Sequence, residues 1–116
     1  MNNRKVIETL EMRIGYTFQN KNLLRQALTH SSFANEQKIN KWDDYERLEF
    51  LGDAVLELVS SDYLYRADPH MPEGKLTKLR SSMVCEPALA YCARDIELGN
   101  YIFLGRGEEE RRKFFP

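Results

Sequence analysis

Cysteine, histidine and long apolar runs are all scarce in this chain of 116 residues, and each scarcity excludes something. The two cysteines, Cys85 and Cys92, would sit about 10 Å apart along a helix, too far for a disulfide. Both are expected to serve as small buried hydrophobes. The two histidines, His30 and His70, have no Cys or His at ligand spacing, which argues against a zinc centre. No apolar run approaches the ~20 residues that a membrane-spanning helix needs. The opening stretch MNNRKVIETLEMRIG interrupts its apolar residues with charge every few positions, unlike a signal peptide. The expected location is therefore the cytoplasm. A net charge of −1 excludes an overall basic coat for nucleic acid but not a local basic patch.

What is there is an ordinary globular composition, 42% hydrophobic and 30% charged, in a length suited to one domain. The patterning is helical. Val6, Leu10 and Ile14 recur at helical spacing, and Gly15 supplies a stop. In NKNLLRQALTH, Leu23, Leu24, Ala27 and Leu28 share one side, with Asn20 placed to cap. SSFANEQKIN is polar and reads as a loop. A long helix is predicted to start at Asp43 or Asp44, either of which could cap it, and to run to Tyr65. ADPHMPEG breaks it, with Pro69, Pro72 and Gly74 as punctuation. Leu76, Leu79 and Met83 mark a further helix, and EPALAYCARDIEL another with Pro87 in its first turn. Gly99, Gly105 and Gly107 predict irregular chain at the end. No repeat, low-complexity tract or alternating strand pattern appears. The class is all-α.

The segment DDYERLEFLGDAVLEL has helical spacing but an odd distribution of charge. With Glu46 at zero, Glu49, Asp53 and Glu57 fall at about 300°, 340° and 20° on the helical wheel. These four carboxylates form one stripe with no Lys or Arg among them, which costs roughly 0.2–0.5 kcal/mol per neighbouring pair. Leu48, Leu51, Val55, Leu58 and Val59 fall between about 120° and 220°, so that face is expected to be buried. An amphipathic helix with a solvated acidic face would explain this much. Other details point further. Gly52 in mid-helix costs about 1 kcal/mol against alanine, which implies close approach of another group to the backbone. Phe50 and Ala54 border the stripe rather than the apolar face, as a partner surface would require. Glu49 and Asp53, at i and i+4, offer two carboxylates from consecutive turns. Mg²⁺ typically takes one or two such ligands together with substrate phosphate.

ERLEFLGDAVLEL resembles the signature segment of the ribonuclease III family almost letter for letter. LLRQALTHSSFANE is similar to that family's upstream helix and turn, PEGKLTKLRSSMV to its next helix, and ELGNYIFLGRGEE to the segment beyond. The resemblance covers residues 5 to 109. It implies the ribonuclease III endonuclease-domain helical bundle over residues 1–116. It implies an endonuclease that hydrolyses double-stranded RNA with Mg²⁺, or with Mn²⁺ in its place. It also implies a homodimer whose two subunits form one valley with two cutting sites. Carried over position by position, the resemblance makes Glu49 and Asp53 the metal-binding and catalytic carboxylates. Glu46 and Glu73 become supporting acids of the site and valley. Phe50 becomes the aromatic that inserts into a socket on the partner subunit.

The resemblance also implies a second acidic pair, Asp-x-x-Glu on a later helix, and no residue after GRGEE matches it. The nuclease domain is accordingly expected to be C-terminally incomplete, and these residues alone to cut RNA barely. A non-catalytic dimerisation or duplex-RNA-binding module on the same fold is the alternative expectation. For RNA contact the basic candidates are Lys75, Lys78 and Arg80, with Arg106, Arg111, Arg112 and Lys113. Such a rim suits an A-form duplex, which is read mostly through phosphates and 2′-hydroxyls.

Overall fold

The chain turns where its glycines, prolines and caps stand in the computed structural model, which describes residues 3–37 and 44–114, with side chains as far as Arg111. Helix α1 (Asn3–Ile14) stops at Gly15, whose φ of 71° is left-handed and whose amide donates to the Glu11 carbonyl. Helix α2 (Lys21–Ala27) starts at Asn20, whose side-chain oxygen accepts from the Asn22 and Leu23 amides. Then come α3 (Ser31–Glu36), α4 (Glu46–Ala67), α5 (Glu73–Met83) and α6 (Glu86–Asp95), with Pro87 in the first turn of α6. A 3-10 turn (Leu98–Tyr101) leads to α7 (Arg106–Phe114). Among the described residues the only pairing of β type is a single bridge between Thr29 and Phe103. The fold is all-α.

Two stretches that read as loop are helical. SSFANE forms α3, and the glycine-rich end forms the 3-10 turn and α7. Helices this short draw their stability from tertiary contacts rather than propensity. Here the Glu36 carboxylate of α3 accepts from the Arg106 amide at the start of α7, at 2.6 Å.

Val6, Ile7 and Leu10 of α1 pack with Leu24 and Leu28 of α2 and with Tyr101, and Phe18, Leu98 and Phe103 complete this core. Ile14, Leu23 and Ala27, predicted to share those faces, are exposed. Beside the core lies a buried carboxylate, Glu11, which accepts from Lys21 Nζ and from the Phe18 amide, both at 2.6 Å. Lys21, and then the Phe18 amide, hold the Glu11 carboxyl below its ordinary value of 4.5. A depressed carboxylate stabilises the fold above that ordinary value and loses its contribution as pH falls through the folded one. Glu11→Gln should therefore melt several degrees below the wild type at neutral pH. The two melting curves should converge in acid, and a gap that persists there would contradict the assignment.

The expected burial of the long helix fails. Leu51, Val55, Leu58 and Val59 are 58%, 51%, 69% and 58% exposed, and Leu48 is only half-buried. The cause is the position of α5. Residues 68–72 join α4 and α5 as a short helical hairpin, and α5 lies against the sector of α4 opposite the apolar one. There Arg80 donates to the Ser61 hydroxyl at 3.0 Å and pairs with Glu57 at 3.6 Å. Ser60, in that same sector, is the buried residue of α4. The apolar sector faces solvent. From Phe50 round to Tyr63, exposed apolar side chains sweep from about 40° to 260° of the wheel. The molecule is correspondingly long, 51 × 32 × 26 Å with a radius of gyration of 16.6 Å, against about 13 Å for a compact domain of this length.

Two smaller expectations fall with that face. Cys85 and Cys92 are exposed free thiols rather than buried hydrophobes, because they lie in the α5–α6 half, away from the core. A Cβ at Gly52 would meet nothing within 4 Å among the described residues, so the expected close approach is not made there. The two halves should also respond differently to truncation. Leu10, 3% exposed, should cost about 3 kcal/mol as Leu10→Ala. Val55→Ala should cost less than about 1 kcal/mol in chemical denaturation of the monomer. Equal losses would show that α4 is buried in solution.

Candidate active site

The start of α4 is held from outside the helix. Asp44 is buried, and its carboxylate accepts from the Glu46 amide at 3.0 Å, as an N-cap would. Asp43, the other expected cap, lies outside the described residues. Gln26 Nε2 donates to the Asp44 carbonyl at 3.3 Å, and the Tyr45 amide donates to the Thr29 carbonyl at 2.9 Å. The Tyr45 ring stacks on His30, with centroids 5.8 Å apart and planes 17° from parallel. The turn between α2 and α3 thus sets where α4 begins and which way its first-turn acids project.

Those acids are Glu46 and Glu49, placed where the helix dipole favours negative charge. Together with Asp53 they are exposed and have no ion-pair partner among the described residues. Glu57, the fourth member of the stripe, is instead engaged by Arg80. Burial pushes the Tyr45 hydroxyl above the ordinary phenol value of 10.0, and Glu49, then Glu46 and Asp44, push it further. The phenol lies within the negative field of the stripe.

Glu49 and Asp53 stand one turn apart on a rigid helix and offer two oxygen ligands, a donor set that fits Mg²⁺ with water and phosphate completing the shell. Glu73 is not brought to them. It accepts from the Thr77 hydroxyl at 2.9 Å and lines a groove of about 410 Å³ with Ser61, Asp62 and Tyr65. Asp62 lies nine positions beyond Asp53, about 13 Å along the helix axis. Among the described residues no three His, Cys, Asp or Glu side chains converge on one point.

Of the basic candidates, Lys75 and Lys78 are exposed and line a shallow groove with Leu79 and Ser82. Arg80 is occupied by Glu57 and Ser61, Arg106 pairs with Glu36 at 3.6 Å, and Arg111 with Glu108 at 3.4 Å. The side chains of Arg112 and Lys113 lie outside the described set. Phe50 is 84% exposed and borders a groove of about 560 Å³ lined by Gln26, Glu46, Arg47, Leu48 and Leu51. Sequence reasoning missed His30 and Tyr45 as the groups that seat this site. The one available signal was the similarity of LLRQALTHSSFANE to a family turn.

The chain matches the family model described as ribonuclease-III-like over residues 20–114. Ribonuclease 3 of Pelotomaculum thermopropionicum is 57% identical over 100 residues, which make up 86% of this chain and 42% of that protein. Ribonuclease 3 of Staphylococcus aureus is 51% identical over 107 residues, 92% of this chain and 44% of that protein. The chain therefore spans less than half the length of these relatives. A solved nuclease domain of Ribonuclease III from Campylobacter jejuni, described for structural flexibility in a region involved in dimer formation, shares the fold. Its TM-score is 0.79 at 44% identity, covering 92% of this chain and 71% of that one. With a family model over most of its length and relatives above half identity, this chain belongs to the ribonuclease-III-like family.

Proposed function

We propose that this chain forms the acid-bearing part of an endoribonuclease domain that hydrolyses double-stranded RNA with Mg²⁺, acting as a homodimer in the cytoplasm. The observation that carries this reading is the Glu49–Asp53 pair, exposed on a helix whose start is clamped. Glu49 and Asp53 would hold the cation, and Mn²⁺ suits the same oxygen donors. The bound cation would stabilise charge on the phosphodiester and lower the pKa of an attacking water. Glu46, one turn before Glu49, would orient water at the edge of the site. Lys75 and Lys78 would neutralise duplex phosphates from α5 without entering the acidic stripe. Glu73, in the groove between α4 and α5, would line the valley rather than share its own chain's ion. Phe50 and the groove beside it are the two complementary parts that a two-fold contact needs, each copy's aromatic entering the other's groove.

A chimera tests the proposal. The 100 matched residues of the Pelotomaculum thermopropionicum protein are replaced by their counterpart from this chain. The chimera should cut a fully paired RNA in Mg²⁺ and leave 5′-phosphate ends. Asp53→Asn within it should lower the rate on the order of a hundredfold or more. An inactive parent chimera, or an active variant, would sink the proposal. One observation favours a narrower role for the 116 residues by themselves: no three candidate ligands converge among those described. That role is a duplex-RNA-binding or dimerisation module, recognised by salt-sensitive duplex binding without cleavage.

A further inference from the structure

We infer that His30 is a positioning residue whose two surfaces join the start of α4 to the start of α7. Its functional consequence rests on the proposed role of Glu49; its geometry does not. The Ser32 amide can only donate, and it donates to His30 Nδ1 at 3.1 Å. Nδ1 is thus the acceptor that caps α3. The Ser32 hydroxyl lies 2.7 Å from the same nitrogen and accepts from the Gly105 amide at 2.9 Å. A series of polar contacts runs from Gly105 through Ser32 to His30.

The packing around that series leaves little slack. A Cβ at Gly105 would lie 2.8 Å from the Ser32 carbonyl oxygen and 2.9 Å from the Glu36 carboxylate. The His30 amide also donates to the Phe103 carbonyl at 3.0 Å. The nitrogen edge of His30 is thus tied to the segment that opens α7. Its ring face is the surface that stacks on Tyr45. The Tyr45 carbonyl in turn accepts from the amide of Glu49, a candidate metal ligand, at 2.8 Å. Ser, Thr, Asp and Asn are the usual N-caps, and any of them would supply the acceptor that α3 needs. A cap that also presents a flat aromatic plate to Tyr45 must be a histidine. The one side chain does both tasks.

Two substitutions separate them. His30→Asn keeps an acceptor and loses the plate; His30→Phe keeps a plate and loses the acceptor. Amide exchange is followed by NMR at Glu49, Ser32 and Gly105, and Mn²⁺ affinity by electron paramagnetic resonance. In His30→Asn, exchange at Glu49 should rise about tenfold, the worth of one aromatic pair, with Ser32 and Gly105 unchanged. In His30→Phe, the Ser32 and Gly105 amides should accelerate about fivefold, the worth of one cap, with Glu49 unchanged. Mn²⁺ should bind more weakly to His30→Asn than to His30→Phe. Equal acceleration of all three amides in both variants, or of none, would overturn the inference. If the wild type binds no Mn²⁺, the metal reading of Glu49 fails and the exchange pattern alone decides the role of His30.

Discussion

Asp53→Asn should abolish most of the rise in melting temperature that Mg²⁺ gives this chain, while slightly raising the melting temperature without metal. The two signs come from one cause. In the stripe Glu46, Glu49 and Asp53 have no cation among the described residues to offset them. Each like-charged pair at helical spacing costs roughly 0.2–0.5 kcal/mol, so removing one anion relieves strain in the metal-free chain. With metal the same carboxylate is half of a two-ligand site. A ligand that binds only the folded state stabilises it by RT ln(1 + [L]/Kd). Mg²⁺ at ~10 mM against a ~1 mM site then contributes roughly 1.4 kcal/mol. For a domain of this size that is a rise of several degrees. Glu49→Gln should behave like Asp53→Asn. Glu73→Gln should keep the full rise, because it lies in the α4–α5 groove beside Asp62, about 13 Å along the axis from Asp53. Glu57→Gln should keep it too, since Arg80 already engages Glu57. A metal response indifferent to both Glu49 and Asp53 would remove the basis for a site here.

How far the sequence could be read depended on the range of the interaction involved. The extent of α4 was nearly legible, because hydrophobic and acidic positions repeat at helical spacing and Asp44 caps locally. The side of α4 that is buried was not. A wheel assigns the apolar arc to the core, yet α5 sits on the other sector, where Arg80 pairs with Glu57 and reaches Ser61. Burial depends on which neighbour arrives, and the hairpin delivers α5 to the acidic side. The short helices were illegible for a related reason. The Ser32–Gly105 and Glu36–Arg106 bonds that hold α3 and α7 together link residues 73 and 70 positions apart. No local pattern records such bonds. The pairing of Glu49 with Asp53 was legible because it needs only the helical repeat, whereas the separation of Glu73 from them follows from the register of the hairpin.

Phe50→Ala should raise the dissociation constant of a homodimer by roughly thirtyfold, the equivalent of about 2 kcal/mol for an aromatic anchor at an interface centre. The folded monomer should hardly notice the change, because Phe50 is 84% exposed and contributes little to the core. That combination, a large effect on association with little effect on unfolding, is what separates an anchor from a packing residue. The groove beside it supplies a control. Leu51 lines that groove, so Leu51→Arg should weaken the dimer as well, by obstructing the receiving surface rather than removing the inserted one. Val55 and Val59 lie farther round the helix, at about 180° and 220° against about 40° for Phe50. If the two-fold contact is centred on Phe50, Val55→Arg should change association much less than Phe50→Ala does. Sedimentation equilibrium across the three variants distinguishes the arrangements. Loss of the dimer in Val55→Arg with an unchanged constant in Phe50→Ala would move the interface to the broad apolar arc and strip Phe50 of its role. A wild type that stays monomeric at every concentration tested would remove the homodimer itself. The order of effects expected from the geometry is Phe50 first, Leu51 next and Val55 least.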